Sequence, residues 1–285
     1  MVVAQLRDAL TSALTRLTAS NAPSPRLNAE LLLMFTLSCD RAYLYAHPER
    51  TLTEDEESRY REAVSERARG VPTQYITGHQ EFWGMDFIVT PAVLIPRPET
   101  EHLIETVLRL EAVIRRDDPV RLVDVGTGSG CIALVLAKEL PRAEIHATDV
   151  SAAALEIAQA NAARHQLDHR VTFHETDLLC GLEPYSFDFV VSNPPYVGES
   201  EEDQVQLEVR KFEPRQAVFA GASGLEVIAQ LIPQAHEALK TGGWLVMEVS
   251  GTIAEGVKRL LADWSDVQVT HDLQGIPRVI SGGKA

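Results

Sequence analysis

Arg121-Leu122-Val123-Asp124-Val125-Gly126-Thr127-Gly128-Ser129-Gly130 decides the architecture of this chain. Its first half, 121–125, has the length and the apolar, β-branched character of a buried strand. Its second half sets glycines at alternate positions, directly ahead of a helical stretch at 131–140. Glycine permits tight turning and close backbone approach to a ligand. Strand, glycine loop and helix in that order suit a nucleotide binder. Two details narrow the ligand. Cys131 stands where a dinucleotide fingerprint needs its last glycine. No Lys-Ser/Thr pair follows, so the loop is not a phosphate-binding P-loop. The ligand need not carry a pyrophosphate.

Downstream, the same rhythm repeats. Strands are predicted at 144–148, 171–174, 187–191 and 244–249. Helices are predicted at Ala152–Arg164, capped by Ser151, and at 225–239 and 252–264. The segments 267–270 and 278–281 make a closing hairpin. Alternation of this kind implies α/β architecture: a mostly parallel sheet with helices on both faces and an antiparallel C-terminal hairpin.

Upstream, the pattern is helical. Leu6, Leu10, Ala13, Leu14 and Leu17 fall at helical spacing, and Pro23 and Pro25 end that helix. The nearly apolar stretch 27–37 reads as the buried centre of a small bundle. Thr53, followed by Glu54, Asp55 and Glu56, reads as the N-cap of a third helix running to about Arg69, where Gly70 and Pro72 stop it. Alternation over 81–89 around Gly84 predicts a β-hairpin. Pro96 and Pro98 stiffen the chain around Arg97, and a helix beginning near Pro98 carries Leu103, Val107 and Leu110 on one face. The expected division is a helical bundle over 1–75, a hairpin linker over 76–97 and an α/β domain over 98–285.

Composition excludes several classes. The chain has 285 residues, 45% hydrophobic and 24% charged, with 41 acidic against 26 basic residues and a net charge of −15. Binding bare duplex DNA through phosphates draws on basic side chains, so this balance argues against it. Cys39, Cys131 and Cys180 are scattered beside apolar residues and read as reduced core thiols without metal spacing. His79 and His174 show no metal pattern and read as structural or exposed. The opening stretch, with Arg7 and Asp8, shows no apolar segment followed by a cleavage site, and no run is long enough to span a bilayer. No metal, no membrane and a reducing cytoplasm are the expectations.

The ends of the strands carry the chemistry. Asp149 follows strand two, roughly 20 residues beyond the loop, where an acid binds ribose hydroxyls. Asp177 is placed to accept from an adenine amino group and Leu178 to cover the base. Asp124 either positions the loop or meets an ammonium group. Then comes Asn193-Pro194-Pro195-Tyr196. Two prolines stop a ladder and lack amide donors, so the chain leaves the sheet rigidly. Taken alone, the tetrapeptide is a loop breaker. In this setting, the Asn193 side-chain carbonyl and the Pro194 backbone carbonyl are two fixed acceptors, which suit a planar –NH2. Tyr196 adds a flat face or a hydroxyl. Adenine, ribose and no phosphate, beside a trap for –NH2, indicate S-adenosylmethionine and N-methylation.

These residues resemble the release-factor glutamine methyltransferases, the HemK/PrmC-like family. The matching segments are 28–33, 70–78, 82–84, 94–101, 124–130, 192–196 and 212–214. Asn-Pro-Pro-Tyr alone is shared with adenine and cytosine amino-methyltransferases; its combination with the helical front domain and Ile95-Pro96-Arg97-Pro98-Glu99-Thr100 is far more specific. The resemblance implies a class I S-adenosylmethionine-dependent methyltransferase fold behind a helical docking domain. It implies methylation of the Gly-Gly-Gln glutamine of peptide chain release factors, with S-adenosyl-L-homocysteine as product. It places the cofactor on Gly126, Thr127, Gly128, Ser129, Gly130, Asp149, Leu178 and Asn193, and the substrate glutamine on Asn193, Pro194, Pro195 and Tyr196. Asn193, Pro194 and Tyr196 are the expected catalytic set. Leu178 departs from relatives, which often carry an aromatic residue there. Arg97 either steadies the site or meets the partner; the plainer alternative is an ion pair with Glu99 or Glu101. The acidic run Glu199, Glu201, Glu202 and Asp203 is either solvated surface or part of a lid for a basic partner domain. Three rival functions are a ribosomal-protein glutamine methyltransferase, a nucleic-acid amino-methyltransferase and a non-catalytic module that kept the fold. The partner expected is a protein, with no direct nucleic acid binding.

Overall fold

A computed structural model describes residues 4–113 and 119–285. Residues 1–3 of the opening stretch, and 114–118 within the expected α/β domain, lie outside the described residues. The chain divides into two compact units. One comprises residues up to His79 together with Gln206–Phe212; the other comprises Gln80–Val205 and Glu213–Ala285.

The first unit is helical. Its main helices are Leu6–Ala19, Pro25–Leu37 and Glu54–Ala68, with short ones at Arg41–Ala46 and Thr73–Thr77. The third helix begins where Thr53 was read as a cap. The Thr53 hydroxyl accepts from Glu56 N, and the Glu56 carboxylate accepts from Thr53 N, which satisfies two otherwise orphaned donors. Leu6, Leu17, Leu32, Leu33, Tyr60 and Val64 close the core. The helix Leu207–Phe212 joins this unit across a long stretch of sequence. Arg67, almost fully buried, donates to the Val71 carbonyl at 3.1 Å and pairs with Glu208 at 2.8 Å. Periodicity gave no hint of this return, because a helix of six residues leaves too short a pattern.

A hairpin follows, β1 (His79–Phe82) and β2 (Met85–Ile88). A seven-stranded sheet follows, built from β3 (Arg121–Val125), β4 (Glu144–Asp149), β5 (Val171–Glu175), β6 (Phe187–Ser192), β7 (Leu239–Glu248), β8 (Ser265–His271) and β9 (Pro277–Gly283). The order is β5-β4-β3-β6-β7-β9-β8. All pairings are parallel except those of β9 with β7 and β8. This is the class I methyltransferase arrangement expected from the sequence.

Strand side chains alternate between two cores, as a period of two requires. Leu122, Ile145, Phe189 and Val191 face one core with Leu103, Ile104 and Val107 of helix Glu101–Val113. Val123, Val125, Val190 and Leu245 face the other with Ile228, Leu231 and Val257. Helix Cys131–Glu139 is buried from Cys131 to Ala137, which explains its lack of a polar stripe.

The strand order reverses between β3 and β6, the point where open α/β sheets bind ligands. Val125 lies in register with Ser192. The glycine loop and the Asn-Pro-Pro-Tyr turn therefore leave adjacent strands at the same edge.

Candidate active site

The loop after β3 is held from below by Asp124. This residue is fully buried; its Oδ2 accepts from Thr127 Oγ1 at 2.6 Å and from Ala133 N at 3.2 Å. Burial pushes its carboxyl up to about 7 against those two hydrogen bonds, and the Asp149 charge adds to the rise. Of the two roles read from sequence, Asp124 takes that of loop support. Gly126 N and Thr127 N donate to the Thr148 carbonyl, both at 2.9 Å. Gly128 has φ +55, a conformation disfavoured for side-chain-bearing residues, and a Cβ there would meet no atom within 4 Å. Its open side is where a ligand fits. Gly128 N donates to Asp149 Oδ2 and Ser151 N to Asp149 Oδ1, both at 2.9 Å, which fixes the carboxylate while leaving each oxygen a further lone pair.

Beside this loop, Ser192 Oγ donates to the Val125 carbonyl at 2.8 Å and locks the start of the Asn-Pro-Pro-Tyr turn to β3. The turn is backed by Gly224: a Cβ there would lie 2.4 Å from the Tyr196 carbonyl oxygen. Asn193 Nδ2 donates to Thr100 Oγ1 at 3.3 Å, and Thr100 Oγ1 donates to Glu248 Oε2 at 2.6 Å. The Tyr196 phenol feels the Glu248 charge: burial, and secondarily that charge, holds it above its ordinary range. Among the described residues, neither Asn193 Oδ1 nor the Pro194 carbonyl takes a hydrogen bond.

A cavity of about 220 Å³ runs along this edge. Gly126, Thr127, Gly128, Ser129, Asp149, Asp177, Leu178, Asn193 and Pro195 line it; Gly130, Pro194 and Tyr196 do not. Leu178 is in the left-handed region, φ 51, and packs against the second core as well as lining the cavity. The other wall comes from Val93, Leu94, Pro96, Pro214 and Ala217. Glu213 pins that wall. It is buried, accepts from Ile95 N at 3.2 Å and pairs with Arg97. Of the readings given for Arg97, the ion pair with Glu99 or Glu101 is not found; Glu213, remote in sequence, is its partner.

Three more sequence expectations meet the structure here. Cys131 is buried, its thiol pushed up to about 12 chiefly by burial; Cys39 is half-buried and Cys180 exposed, so Cys180 is no core thiol. His174 stacks on His146, 2.9 Å between ring nitrogens. Among the described residues no group of His, Cys, Asp and Glu is arranged to hold a metal. Thr100, Glu248, Glu213 and Asn161 were not singled out as functional. Asn161, fully buried, donates to the carbonyls of Ile88 and Ser129 and accepts from Ile88 N, tying the hairpin to the glycine loop. The available signal for Glu248 was a lone acid in the apolar run 244–249. Asp188 shows how weak that signal is: equally buried in β6, it serves Arg121 N and Lys240 Nζ, both away from the cavity.

With this geometry in place, comparison with known proteins is decisive. Residues 8–78 match the model of the PrmC N-terminal domain, and residues 104–211 that of the methyltransferase small domain. A release factor glutamine methyltransferase of Koribacter versatilis is 57% identical over 280 residues, covering 98% of both chains. The chain belongs to the release factor glutamine methyltransferase family. A second member, from Rhodopirellula baltica, is 40% identical over 92% of this chain and 90% of its own. The hMettl16 catalytic domain, solved with a MAT2A 3'UTR hairpin, superposes with a TM-score of 0.58 at 18% identity, covering 86% of this chain and 93% of that one. At that identity the likeness is one of fold.

The family's cofactor is S-adenosylmethionine, and the residues present fit it. The cavity lining contains no lysine or arginine, so no cationic side chain there favours a phosphate. It offers the Asp149 and Asp177 carboxylates as acceptors, apolar cover from Ile132, Val150 and Leu178, and the open side of Gly128. Thr148, also on the lining, has its Oγ1 buried without a partner.

Proposed function

We propose that the protein methylates the side-chain amide nitrogen of the glutamine in the Gly-Gly-Gln motif of peptide chain release factors. The observation that carries this reading is the pairing of two exits from adjacent strands. The glycine loop with Asp149 suits a phosphate-free nucleoside, and the Asn193–Tyr196 turn beside it presents unpaired oxygens. Asp149 holds ribose hydroxyls, Leu178 covers the adenine, and Gly126, Thr127, Gly128, Ser129 and Gly130 shape the backbone bed. When bound, the cofactor supplies an electrophilic sulfonium methyl.

The protein's own task is placement. An amide nitrogen is a poor nucleophile, because its lone pair is delocalised into the carbonyl. Asn193 Oδ1 and the Pro194 carbonyl each accept one N–H of the glutamine, which fixes the nitrogen and favours the positive charge that grows on it. Pro195, Leu94 and Pro96 keep water from the site. Tyr196 walls the amide plane.

The helical unit is the docking platform for the release factor. A translation factor as substrate places the reaction in the cytoplasm, and among the described residues no helix is long and apolar enough to cross a membrane. The net charge of −15 supports a protein over a nucleic acid as partner. The relatives' names favour release factors over ribosomal proteins.

Replacement of Asn193 by Ala tests the assignment. Fold and part of the cofactor affinity are expected to remain, while single-turnover methylation of a release factor at saturating cofactor falls at least ~10-fold, the equivalent of ~1.4 kcal/mol in transition-state binding. A wild-type rate in Asn193→Ala refutes the role.

A further inference from the structure

We infer that Glu248, acting through the Thr100 hydroxyl, is the positioning residue that sets which way the Asn193 amide points. The inference rests on the functional reading above and deepens it. The two ends of an asparagine amide have nearly the same shape, so packing alone does not choose between them. Only hydrogen-bond direction does. Thr100 Oγ1 carries one proton and lies 2.6 Å from Glu248 Oε2. A carboxylate only accepts, so the Thr100 proton goes to Glu248. Thr100 Oγ1 is then left to accept, and the group 3.3 Å away that fills this role is the Asn193 N–H. Asn193 Oδ1 is thereby turned away from Thr100 and left without a protein partner. One buried acid, 3% exposed at the end of β7, thus orders the Asn193 amide through Thr100.

Protonation of Glu248 reverses the relay. Its O–H then donates to Thr100, the Thr100 proton is free to meet Asn193 Oδ1, and the amide turns its –NH2 outward, where it repels the substrate –NH2. Burial pushes the Glu248 carboxyl up to about 7; the Thr100 hydrogen bond and Arg278 oppose the rise, and Glu99 adds to it. The buried Cys131 thiol also feels the Glu248 charge. The acid form is therefore reached on modest acidification.

The test compares wild type, Thr100→Val, Thr100→Ser and Glu248→Gln. Single-turnover methylation of a purified release factor is followed between about pH 6 and pH 8, and S-adenosylmethionine affinity is measured by calorimetry. Thr100→Val is expected to lose roughly 10-fold or more in the saturated rate, with KM for the release factor and cofactor affinity within about twofold of wild type. Thr100→Ser restores most of the rate, because it restores the hydroxyl. The wild-type rate declines as pH falls through about 7, and Glu248→Gln, which cannot ionise, loses that decline. Asp124 is common to all four proteins, so any share of the acid decline that comes from it persists in Glu248→Gln. Should Thr100→Val fail to bind cofactor, the Glu248→Gln profile decides alone. A wild-type rate in Thr100→Val, a Thr100→Ser protein as slow as Thr100→Val, or an unchanged acid decline in Glu248→Gln overturns the inference. If these variants are indifferent while wild type methylates the glutamine, only this inference falls. If wild type leaves the glutamine unmethylated, the functional reading falls and takes the inference with it.

Discussion

Asp124 shows how one side chain links folding to the site. Buried beneath the glycine loop, it accepts from Thr127 and Ala133, while its other oxygen is buried without a partner. Its carboxyl titrates near 7 in the folded protein against 3.8 as the ordinary value. Between those limits the folded state binds the proton and the unfolded chain does not. The stabilisation is therefore fully present below the unfolded value and is lost as pH rises through about 7. Asp124→Asn keeps an acceptor for Thr127 and carries no charge at any pH. Its thermal midpoint, measured from mild acid to mild alkali, is expected to vary less with pH than that of wild type, and to exceed wild type above pH 7. An identical pH slope in the two proteins contradicts the account of this buried acid. At the same scale, Asp124, Asp149 and Asn193 were legible in the sequence because they sit at strand ends beside glycine or proline. Thr100 and Glu248 were not, because their meaning lies in a contact between residues far apart in the chain.

Among the elements, two segments shape the cavity from outside the sheet. The first is the 93–97 wall, clasped by Glu213. Removing the guanidinium with Arg97→Ala leaves Glu213 buried with one partner fewer. A loss of about 2 kcal/mol or more is expected in denaturant unfolding; a change within ~0.5 kcal/mol would show that the clasp is dispensable. The second is the turn at Gly224, φ +81, pressed against the Tyr196 carbonyl. Gly224→Ala must move the Asn-Pro-Pro-Tyr backbone, so methylation is expected to fall at least several-fold, with a stability cost of ~1 kcal/mol or more. Wild-type activity in Gly224→Ala would mean that this backing can shift without consequence. The sheet strands and the long helices were legible from periodicity and caps, as Thr53 and Ser151 show. The short helices at Arg41–Ala46, Glu199–Gln204, Leu207–Phe212 and Arg215–Val218 were not. They span too few residues for a period to emerge, and long-range partners such as Arg67 hold them. Helix 252–264 shortens to Ala254–Leu260, and strand 244–249 lengthens to Leu239–Glu248 with a register irregularity near Phe187, because pairing with neighbours sets strand length.

For the whole molecule, a helical body matching the PrmC N-terminal model is joined in one chain to a methyltransferase sheet. Glu199 and Glu201 lie in the short helical turn just after the Asn-Pro-Pro-Tyr motif. Reversing both to Lys is expected to raise KM for a basic release-factor domain several-fold at low ionic strength, with the difference shrinking as salt is added. Equal KM values at low salt would remove this run from recognition. The measurement that bears most directly on the central claim is tandem mass spectrometry of a release factor incubated with the protein and S-adenosylmethionine. The expected result is a single added methyl on the side-chain amide of the Gly-Gly-Gln glutamine, absent when Asn193→Ala replaces wild type. An unmodified glutamine, or a methyl placed on any other residue, contradicts the claim.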